Sequence, residues 1–440
     1  MRILMLAQFY PPTVGGEEQH VHDLSHALAE RGHRVAVATL WHLGLPEFEL
    51  DGDVAVYRLR GLTQRATWLY KDGERRHAPP LPDPETAWGL REVMQREQPE
   101  IVHAHNWLIH SYLPLEPLHD ARLVVSLHDY SLVCVQKRLM RFDAPCEGPG
   151  LRKCLECAAH HYGRTKGSVT YFGNQAMSAW ERRAVDLFLP VSKAVAEGNR
   201  LDEYRLPYQV IPNLLPEKLL AEGDQEGVRP LPPELELLPE GDFLLFVGDL
   251  SADKGVHVLL AAYNKLRAAE RELPEGVPPL VVIGRRFGGT ADELPPGVIA
   301  LGRIPHAAVM EAWRRCTIAL APSVWAEPFG IVALEAMVTG KPLVASNTGG
   351  LADTVVDGET GLLVPPGDAD ALAAGIRRLL EDPQLRVRLG QAAAQRAAEY
   401  RASNVAQSVE RAYAGVLGDK AVHTARRESL GRQEAEAEVL

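Results

Sequence analysis

The stretch WAEPFGIVALEAMVTGKP, residues 325–342, follows the apolar run TIALAPS (317–323) and sets two carboxylates, Glu327 and Glu335, eight positions apart. The proline after Glu327 biases that residue away from α geometry, so Glu327 is predicted to lie in a loop and a helix to begin near Phe329. Glu335 falls within the apolar part of that helix, where a carboxylate is costly unless hydroxyl or N–H groups satisfy it. A strand, a turn and a buried helix in this order are typical of one unit of a parallel α/β sheet.

Two interpretations of this carboxylate pair are open. Because a loop and a helix displace the two groups along the length of a ligand, they suit the vicinal hydroxyls of two sugars, one on a nucleotide and one being transferred. In the alternative, Glu327 caps the helix and Glu335 is satisfied inside the protein.

The same alternation of strand and helix patterns extends along the chain. Several of the strand runs are apolar throughout, as expected for strands that are covered on both faces. The predicted strands are RILMLA (2–7), RVAVATL (34–40), VAVYRL (54–59), IVHAH (101–105), RLVVSLHD (122–129), DLFLPVS (186–192), FLLFVG (243–248), PLVVIG (279–284), VIALG (298–302), TIALAPS (317–323), PLVAS (342–346) and GLLVPP (361–366).

The pattern restarts after a Pro- and Glu-rich segment, which indicates two doubly wound, Rossmann-like α/β domains that face a cleft. The first domain is predicted to span residues 1–212, followed by a linker at 213–240 and a second domain at 241–399. A helix at about 400–418 is predicted to return to the first domain, and the polar tail 419–440 is predicted to be disordered. The cleft between the domains is the expected ligand site.

Composition agrees with this organisation. At 440 residues, with 46% hydrophobic and 24% charged residues, the chain has a normal globular balance and is too long for one ordinary core. The net charge of −11 argues against a nucleic-acid partner, because neutralising phosphates requires an excess of Lys and Arg.

The chain shows no pattern of secretion or membrane insertion. The run MRILMLAQFYPP has one positive side chain and no small-residue cleavage pattern, so it indicates a buried strand and not a signal peptide. No segment approaches the roughly 18 uncharged apolar residues of a membrane span. We therefore expect a cytoplasmic protein, and peripheral contact of the first domain with the inner membrane face is a further hypothesis. In that reducing compartment the five cysteines are not expected to form disulfides.

A doubly wound fold raises the question of which nucleotide it binds. The loop after the first predicted strand contains Gly15 and Gly16, but the chain has neither G-x-G-x-x-G there nor G-x-x-x-x-G-K-[ST] anywhere, which argues against dehydrogenases and P-loop enzymes. In the second half, Gly248 ends a strand run, and Lys254 precedes Gly255 at a predicted helix start. N–H groups at a helix start favour an anion and the lysine adds a point charge, so this turn is predicted to bind a diphosphate. A solvated lysine and purely structural glycine turns are the alternative.

With these segments, the chain resembles the large retaining glycosyltransferase family with the GT-B fold, family four, which includes glycogen-synthase-like and sucrose-synthase-like enzymes. The resemblance extends to about residue 418, and the E-x7-E block of residues 325–342 with its flanks is its most specific part. The other matching segments are PPTVGGEEQHV, VHAHNW, SLHDY, VSKAV, VIPN, DKGVHVLL, GRIP and GGLADTVVDGETGLLVPPGD.

The resemblance implies roles for individual residues. Glu327 is expected to face the transferred sugar, Glu335 the nucleotide ribose and Lys254 the diphosphate. His128, in SLHDY, is expected to contact the transferred sugar, so His128, Lys254 and Glu327 are the expected catalytic residues. Further donor contacts are expected at Gly15, Gly16, Gly248, Arg285, Arg303, Ile304, Phe329, Gly330 and Ile331.

Two positions differ from the family pattern. The family commonly has Arg directly after the glycine of the VG turn, whereas this chain has Asp249, whose carboxylate would repel a diphosphate unless it turns away. The next strand run ends in IGRRFGG, and its Arg285 and Arg286 are expected to restore the missing charge.

Four of the five cysteines, Cys134, Cys146, Cys154 and Cys157, fall in one segment of the first half. The C-x2-C end is typical of a thiolate knuckle and four sulfurs complete a tetrahedral site, so a structural zinc is predicted, with an iron–sulfur cluster as the alternative. Free thiols in a Gly- and Pro-rich loop are the third interpretation. The segment is expected to fold over the acceptor side of the cleft.

The predicted function is retaining transfer of a sugar from a nucleotide-diphosphate donor of the UDP, GDP or ADP type to a hydroxyl acceptor, either a glycan or lipid-linked. Such an enzyme would serve cell-surface glycan, polysaccharide or glycolipid synthesis. The resemblance implies same-face displacement in which the leaving phosphate takes the acceptor proton, so no cofactor is required for transfer. The alternatives are a sugar-nucleotide epimerase or hydrolase on the same fold, and a non-catalytic nucleotide-sugar-binding subunit.

Overall fold

The structure is a computed structural model. The residues it describes are 1–13, 15–65, 76–142, 144–217, 219, 233–269, 276–286 and 294–418. The predicted linker at 213–240 lies partly outside the described residues, and the predicted tail at 419–440 lies entirely outside them.

The first half of the chain forms a parallel sheet with one antiparallel edge strand. Its strands are β1 (Arg2–Leu6), β2 (Arg34–Leu40), β3 (Phe48–Asp51), β4 (Val54–Leu59), β5 (Ile101–Ala104), β6 (Arg122–Leu127) and β9 (Leu187–Pro190), and a separate hairpin pairs β7 (Met140–Arg141) with β8 (Ala144–Pro145). The order across the seven-stranded sheet is β3-β4-β2-β1-β5-β6-β9, and only the β3–β4 pair is antiparallel. The β1 strand lies at the centre, so its residues Ile3–Leu6 are at most 2% exposed.

Helices cover both faces of this sheet. They are α1 (Gly16–Glu30), α2 (Leu62–Arg65), α3 (Pro84–Glu97), α4 (Ile109–Tyr112), α5 (Leu151–Tyr162), α6 (Arg164–Ala184) and α7 (Lys193–Gly198), with a 3-10 turn at Glu116–Leu118. The inner face of α1 carries Val21, Leu24 and Leu28, which are fully buried against the sheet. Asp83 begins α3 because its carboxylate accepts hydrogen bonds from two N–H groups of the first turn.

The second half forms a fully parallel six-stranded sheet. Its strands are β10 (Leu244–Val247), β11 (Leu280–Ile283), β12 (Val298–Gly302), β13 (Ile318–Ala321), β14 (Leu343–Ser346) and β15 (Leu362–Val364), in the order β12-β11-β10-β13-β14-β15. Its helices are α8 (Val256–Ala268), α9 (His306–Arg315), α10 (Ile331–Val338), α11 (Leu351–Thr354), α12 (Ala369–Glu381) and α13 (Pro383–Ala397), with 3-10 turns at Pro233–Leu235 and Ala398–Tyr400.

The helix α14 (Ala402–Gly418) follows the second sheet in sequence but packs on the first. Val405 and Val409 share a buried apolar cluster with Ile3 of β1 and Leu24 of α1. The hydroxyl of Tyr413 lies 2.6 Å from Nδ1 of His103, which belongs to β5 of the first sheet. The chain therefore crosses between its two halves a second time near its C-terminal end.

The two Rossmann-like α/β units confirm the predicted fold class. All predicted strand runs contain a strand, whereas β3 and the β7–β8 hairpin were not predicted. The sequence of β3, FELD, is short and half charged because it lies at an exposed edge, and each hairpin strand has only two residues. Among the described helices, none is long and apolar enough to cross a membrane.

Gly255 positions the two loops that form the site. It adopts φ +74°, and a Cβ atom at this position would lie 1.8 Å from the carbonyl oxygen of Pro322. Only glycine combines this left-handed conformation with so close an approach. The loop after β10 is thereby packed directly on the loop after β13.

We predict that Gly255→Ala destabilises the protein by clearly more than the about 1–2 kcal/mol that a left-handed conformation costs an L-residue. Gly358→Ala is the matched control, because Gly358 has φ +71° and no atom within 4 Å of the added Cβ. Denaturant unfolding of the two variants measures both free energies. Equal destabilisation would show that the Pro322 contact adds nothing to the cost.

Candidate active site

Two neighbouring cavities are lined by residues of both halves. The smaller has a volume of about 330 Å³ and the larger about 980 Å³, and both are lined by Val247 and Gly248 at the end of β10. Carboxyl ends of parallel strands are the usual ligand-binding edge of such sheets. The predicted catalytic and donor-binding residues line one or both of these cavities, except Glu335, which lines neither.

The smaller cavity contains an ion pair. Nζ of Lys254 lies 2.7 Å from Oε1 and 2.8 Å from Oε2 of Glu327. The pair forms because β10 and β13 are parallel neighbours, so the loops that follow them meet at the same sheet edge. The two residues that the resemblance assigned to diphosphate and sugar are thus in direct contact with each other.

Two further side chains that the sequence analysis did not select also bind Glu327. Nε1 of Trp325 donates to Oε2 at 2.8 Å, and Oγ of Ser323 donates to the same oxygen at 3.1 Å. Both belong to the segment APSVWAEP, so proximity in sequence was the available signal. Glu327 does not cap α10, whose N-terminus has no side-chain cap, and this part of the alternative interpretation is wrong.

Hydroxyl groups from the first half hold the peptides on either side of Glu327. The hydroxyl of Tyr130 donates to the carbonyl of Ala326 at 2.8 Å, and Oγ of Ser192 donates to the carbonyl of Pro328 at 2.6 Å. The two bonds come from different elements of the first half, since Tyr130 follows β6 and Ser192 precedes α7. The orientation of the Glu327 loop therefore depends on both halves of the chain.

The turn after Glu327 leads into a helix start at the cavity. Gly330 has φ +84° and precedes α10, which begins at Ile331, two residues later than predicted. Phe329, Gly330 and Ile331 line the smaller cavity. In the first turn of α10 the N–H of Ala333 donates to the carbonyl of Gly330 at 2.8 Å, and the N–H groups before it have no i−4 carbonyl within the helix. Gly16 faces them across the cleft, since a Cβ atom on it would lie 2.9 Å from Cδ1 of Ile331.

His128 lines the smaller cavity from the first half and is half-buried. Burial lowers its pKa to about 4, so the imidazole is neutral at neutral pH. Its Nε2 lies 3.0 Å from Nδ1 of His105, which makes one ring the donor and the other the acceptor. His128 can accept from or donate to a sugar hydroxyl, but it is not a ready source of a proton.

Glu17 is a cavity residue that was not predicted, although it belongs to the quoted motif PPTVGGEEQHV. Burial raises the pKa of its carboxyl to about 8, although the side-chain amide of Asn106 donates to it. The carboxyl therefore retains its proton to a large extent at neutral pH.

Glu335 lines neither cavity. Oε1 lies 2.8 Å from Nε2 of His306, and Oε2 accepts from Nε1 of Trp313 at 3.1 Å. The hydrogen bond to Glu335 raises the pKa of His306, against the opposing effect of burial. These partners are the ones expected if Glu335 is satisfied inside the protein. Each carboxylate oxygen retains a second lone pair for a hydroxyl.

The larger cavity is lined by residues of both halves. From the second half it takes Asp249, Arg285, Arg303 and Ile304, and Nε of Arg285 lies 3.7 Å from Oδ1 of Asp249. Arg286 is not among the lining residues. The first half contributes Gly15 and a basic, aromatic surface that includes Trp41, Arg60, Arg65 and Arg76.

The four clustered cysteines line a separate small cavity in the first half and do not line the cleft cavities. The turn at 134–139 nevertheless reaches the cleft, because Arg138 forms an ion pair with Asp253, the neighbour of Lys254. The cysteine segment was predicted to fold over the acceptor side of the cleft. The turn at 134–139 lies on the first-half side of the cleft, whereas the four cysteines line the separate cavity.

Comparison with known proteins supports the assignment to a family. Residues 14–216 match the model of Glycosyltransferase Family 4, and residues 231–396 match the model of Glycosyl transferases group 1. The chain is 28% identical over 419 residues to a glycogen synthase of Mycobacterium tuberculosis, which covers 90% of each protein.

Solved structures share the fold. Sucrose-phosphate synthase of Thermosynechococcus elongatus has a TM-score of 0.69 at 21% identity, covering 94% of this chain and 99% of that one. HepE of Anabaena, solved in complex with UDP-glucose, has a TM-score of 0.61 at 20% identity, covering 94% and 99%. The family matches and the two facing Rossmann-like units lead to one conclusion: this chain belongs to the family-four, group-one glycosyltransferases with the GT-B fold.

Proposed function

We propose that this protein is a retaining glycosyltransferase that moves a sugar from a nucleoside diphosphate to a hydroxyl acceptor. The observation that carries the proposal is the contact between Lys254 and Glu327 at the sheet edge, next to the start of α10. A cation and a helix N-terminus suit a diphosphate, and a carboxylate within reach of both suits the hydroxyls of the attached sugar.

In this proposal, the diphosphate of the donor binds Lys254 and the N–H groups at the start of α10. Glu327, released from Lys254, accepts hydrogen bonds from the transferred sugar, while Trp325 and Ser323 keep its carboxylate in place. His128 approaches the same sugar from the first half as a neutral imidazole. Glu335 accepts from the ribose when its exposed partner His306 moves aside.

Transfer then needs little side-chain chemistry. The acceptor oxygen attacks the anomeric carbon on the face from which the diphosphate leaves, so the C–O bond to phosphate breaks as the new glycosidic bond forms. The departing phosphate oxygen takes the acceptor proton. Lys254 and the helix N-terminus stabilise the charge that develops on the diphosphate, which is the main catalytic contribution expected of this site.

Two relatives bear on the choice of substrates to be tested. The similar structure of HepE contains UDP-glucose, and the relative in Mycobacterium tuberculosis is described as a glycogen synthase. We infer a UDP, GDP or ADP sugar as donor, bound mainly to the second half. The larger cavity has arginines on its first-half wall, so acceptors that carry a phosphate or carboxylate are tested first, both as glycans and in lipid-linked form.

A thermal-shift screen of nucleotide sugars identifies the donor, because a ligand at 100 times its Kd stabilises a protein by about 2.7 kcal/mol. Nucleotide release is then measured with and without acceptors. Release that requires an acceptor supports transfer, whereas release without one indicates an epimerase or hydrolase. Tight donor binding without any turnover indicates a binding subunit.

The two glutamates are predicted to differ in their effects. Glu335→Ala should weaken binding of the free nucleoside diphosphate, whereas Glu327→Ala should lower the transfer rate and leave that binding nearly intact. Loss of a hydrogen bond to a charged group costs about 1.5–3 kcal/mol in each case. Calorimetric titration with nucleotide and steady-state kinetics with the full donor separate the two effects.

Glu311→Ala is the control for Glu335, since both residues are 7% exposed and, within the part of the chain that the structure describes, Glu311 forms ion pairs with Arg314 and Arg315 of its own helix. It should reduce stability without changing nucleotide affinity. Wild-type nucleotide affinity in Glu335→Ala would contradict the ribose assignment and leave Glu335 as an internal partner of His306 and Trp313.

Arg285 is predicted to supply the phosphate contact that an arginine at position 249 would make and that Asp249 cannot make. Arg285→Ala should lower kcat/KM by a factor on the order of 10 to 100, as expected for one charge-assisted contact of about 1.5–3 kcal/mol. Asp249→Asn should raise it, because the amide no longer repels the diphosphate.

The double variant Arg285→Ala, Asp249→Asn distinguishes two roles for the arginine. If Arg285 binds phosphate directly, the double variant remains impaired. If Arg285 only neutralises Asp249, the double variant returns to wild-type efficiency. Near-normal kinetics of the single Arg285→Ala variant would rule out both roles.

A further inference from the structure

The four cysteines of the first half surround one cavity of about 30 Å³. Cys134 lies in the turn after β6, Cys146 follows the β7–β8 hairpin, and Cys154 and Cys157 lie three residues apart on α5. The hairpin folds the chain back, which brings residues from three elements to one place. The remaining lining is mainly apolar and includes Val133, Val135, Leu139, Met140 and Ala158.

Hydrogen-bond donors point at two of the four sulfur atoms, while the thiols of Cys146 and Cys157 donate to the carbonyls of Gly148 and Met140 at 3.4 and 3.8 Å. The backbone N–H of Gly150 donates to Sγ of Cys154 at 3.2 Å, and Nε2 of Gln136 donates to Sγ of Cys157 at 3.0 Å. Donors of this kind stabilise thiolates, the form in which cysteine binds metals.

The backbone between Cys134 and Cys146 is unusual. Lys137 and Leu139, in the turn at 134–139, and Phe142, between the strands of the β7–β8 hairpin, have positive φ, at 65°, 48° and 56°. Each such residue costs of order 1–3 kcal/mol and persists only where its surroundings enforce it. A bound centre that draws four sulfurs together would enforce it.

The spacing of the sulfurs distinguishes between metals. A zinc ion binds sulfur at about 2.3 Å, which places four sulfurs about 3.8 Å apart and leaves no room for water between them. Among the described residues, the sets of three ligand atoms within 4.8 Å of one another are His20, His105 and His128, and His22, His26 and Asp51. The cysteine sulfurs form no such set, and the cavity they line is large enough for a water molecule.

We propose that the four cysteines bind an iron–sulfur cluster, in which each thiolate binds one iron and the four thiolates are distributed over several irons. Transfer of a preformed, thiolate-ligated cluster exchanges four Fe–S bonds to the departing thiolates for four Fe–S bonds to these cysteines, whose four protons pass to the departing thiolates. No oxidation or reduction is part of this step. The cluster is a structural centre that fixes the segment from Cys134 to Cys157.

Arg138, on the turn that begins at Cys134, links the cysteine site to the cleft. The Arg138 guanidinium forms an ion pair with Asp253 and lies 5.5 Å from the ring centroid of Trp325. Asp253 precedes Lys254, and Trp325 donates to Glu327. The cluster thereby supports the positions of both members of the Lys254–Glu327 pair, a role that rests on the proposed function, whereas the metal site itself does not.

Metal analysis of the full chain, purified without oxygen or chelator, tests the site. We expect iron and acid-labile sulfide in equal amounts, together with a broad visible absorption. One zinc per chain without iron would show that the site holds a single ion and overturn the cluster. Protein that contains neither iron nor zinc would overturn the metal site itself.

Variants test the ligands and the positioning role separately. Cys154→Ser combined with Cys157→Ser should lose the iron and expose residues 134–157 to limited proteolysis, while the control Cys316→Ser, a buried thiol of the second half, should keep it. If the double variant fails to fold, Cys146→Ser serves instead, and full iron content in that variant would overturn the ligand set.

Arg138→Ala should keep the iron and lower transfer about tenfold, as expected for one lost charged contact. The iron-free cysteine variant should show the same loss, with donor binding and transfer both affected. Full transfer activity in a folded, iron-free variant would overturn the positioning role and leave the metal site intact. Absence of transfer in the wild type, with iron present, would count against the proposed function alone.

Discussion

The ion pair between Lys254 and Glu327 joins the loops after two adjacent strands, β10 and β13, and the rest of the site is arranged around it. Because these strands are parallel, both loops leave the sheet at its carboxyl edge. Gly255 allows the loops to touch, and Ser323 and Trp325 complete the donors around the carboxylate. Charges that are largely removed from water persist only when paired and hydrogen-bonded, so this arrangement is stable before any donor binds. A diphosphate at Lys254 would exchange one anionic partner for another.

The smaller cavity has walls of different electrostatic character. On the side of the first half, burial keeps the imidazole of His128 neutral and favours the protonated carboxyl of Glu17. On the side of the second half, Lys254 and the start of α10 attract anions. In the proposed function this difference would orient a nucleotide sugar, since its diphosphate would be drawn to one wall and its uncharged sugar would face the other.

Much of the fold could be predicted from the sequence, because buried parallel strands are continuous apolar runs and helices follow them at regular intervals. The short edge strand FELD and the β7–β8 hairpin could not, since neither buries enough apolar surface to leave a pattern. The site residues around Glu327 were found through local motifs. Their partners were not, because the bond from Trp313 to Glu335 and those from Tyr130 and Ser192 to the Glu327 loop join segments far apart in the chain.

The bonds from Tyr130 and Ser192 to the carbonyls on either side of Glu327 have a consequence for engineering. Exchanging the first half for that of a relative is an obvious route to a new acceptor, because the proposed function places acceptor and donor largely on different halves. Such a chimera would also replace the hydroxyls that orient the carboxylate of the donor site. The relative that provides the first half should therefore have a tyrosine at the position of Tyr130 and a serine at the position of Ser192, in addition to recognising the desired acceptor.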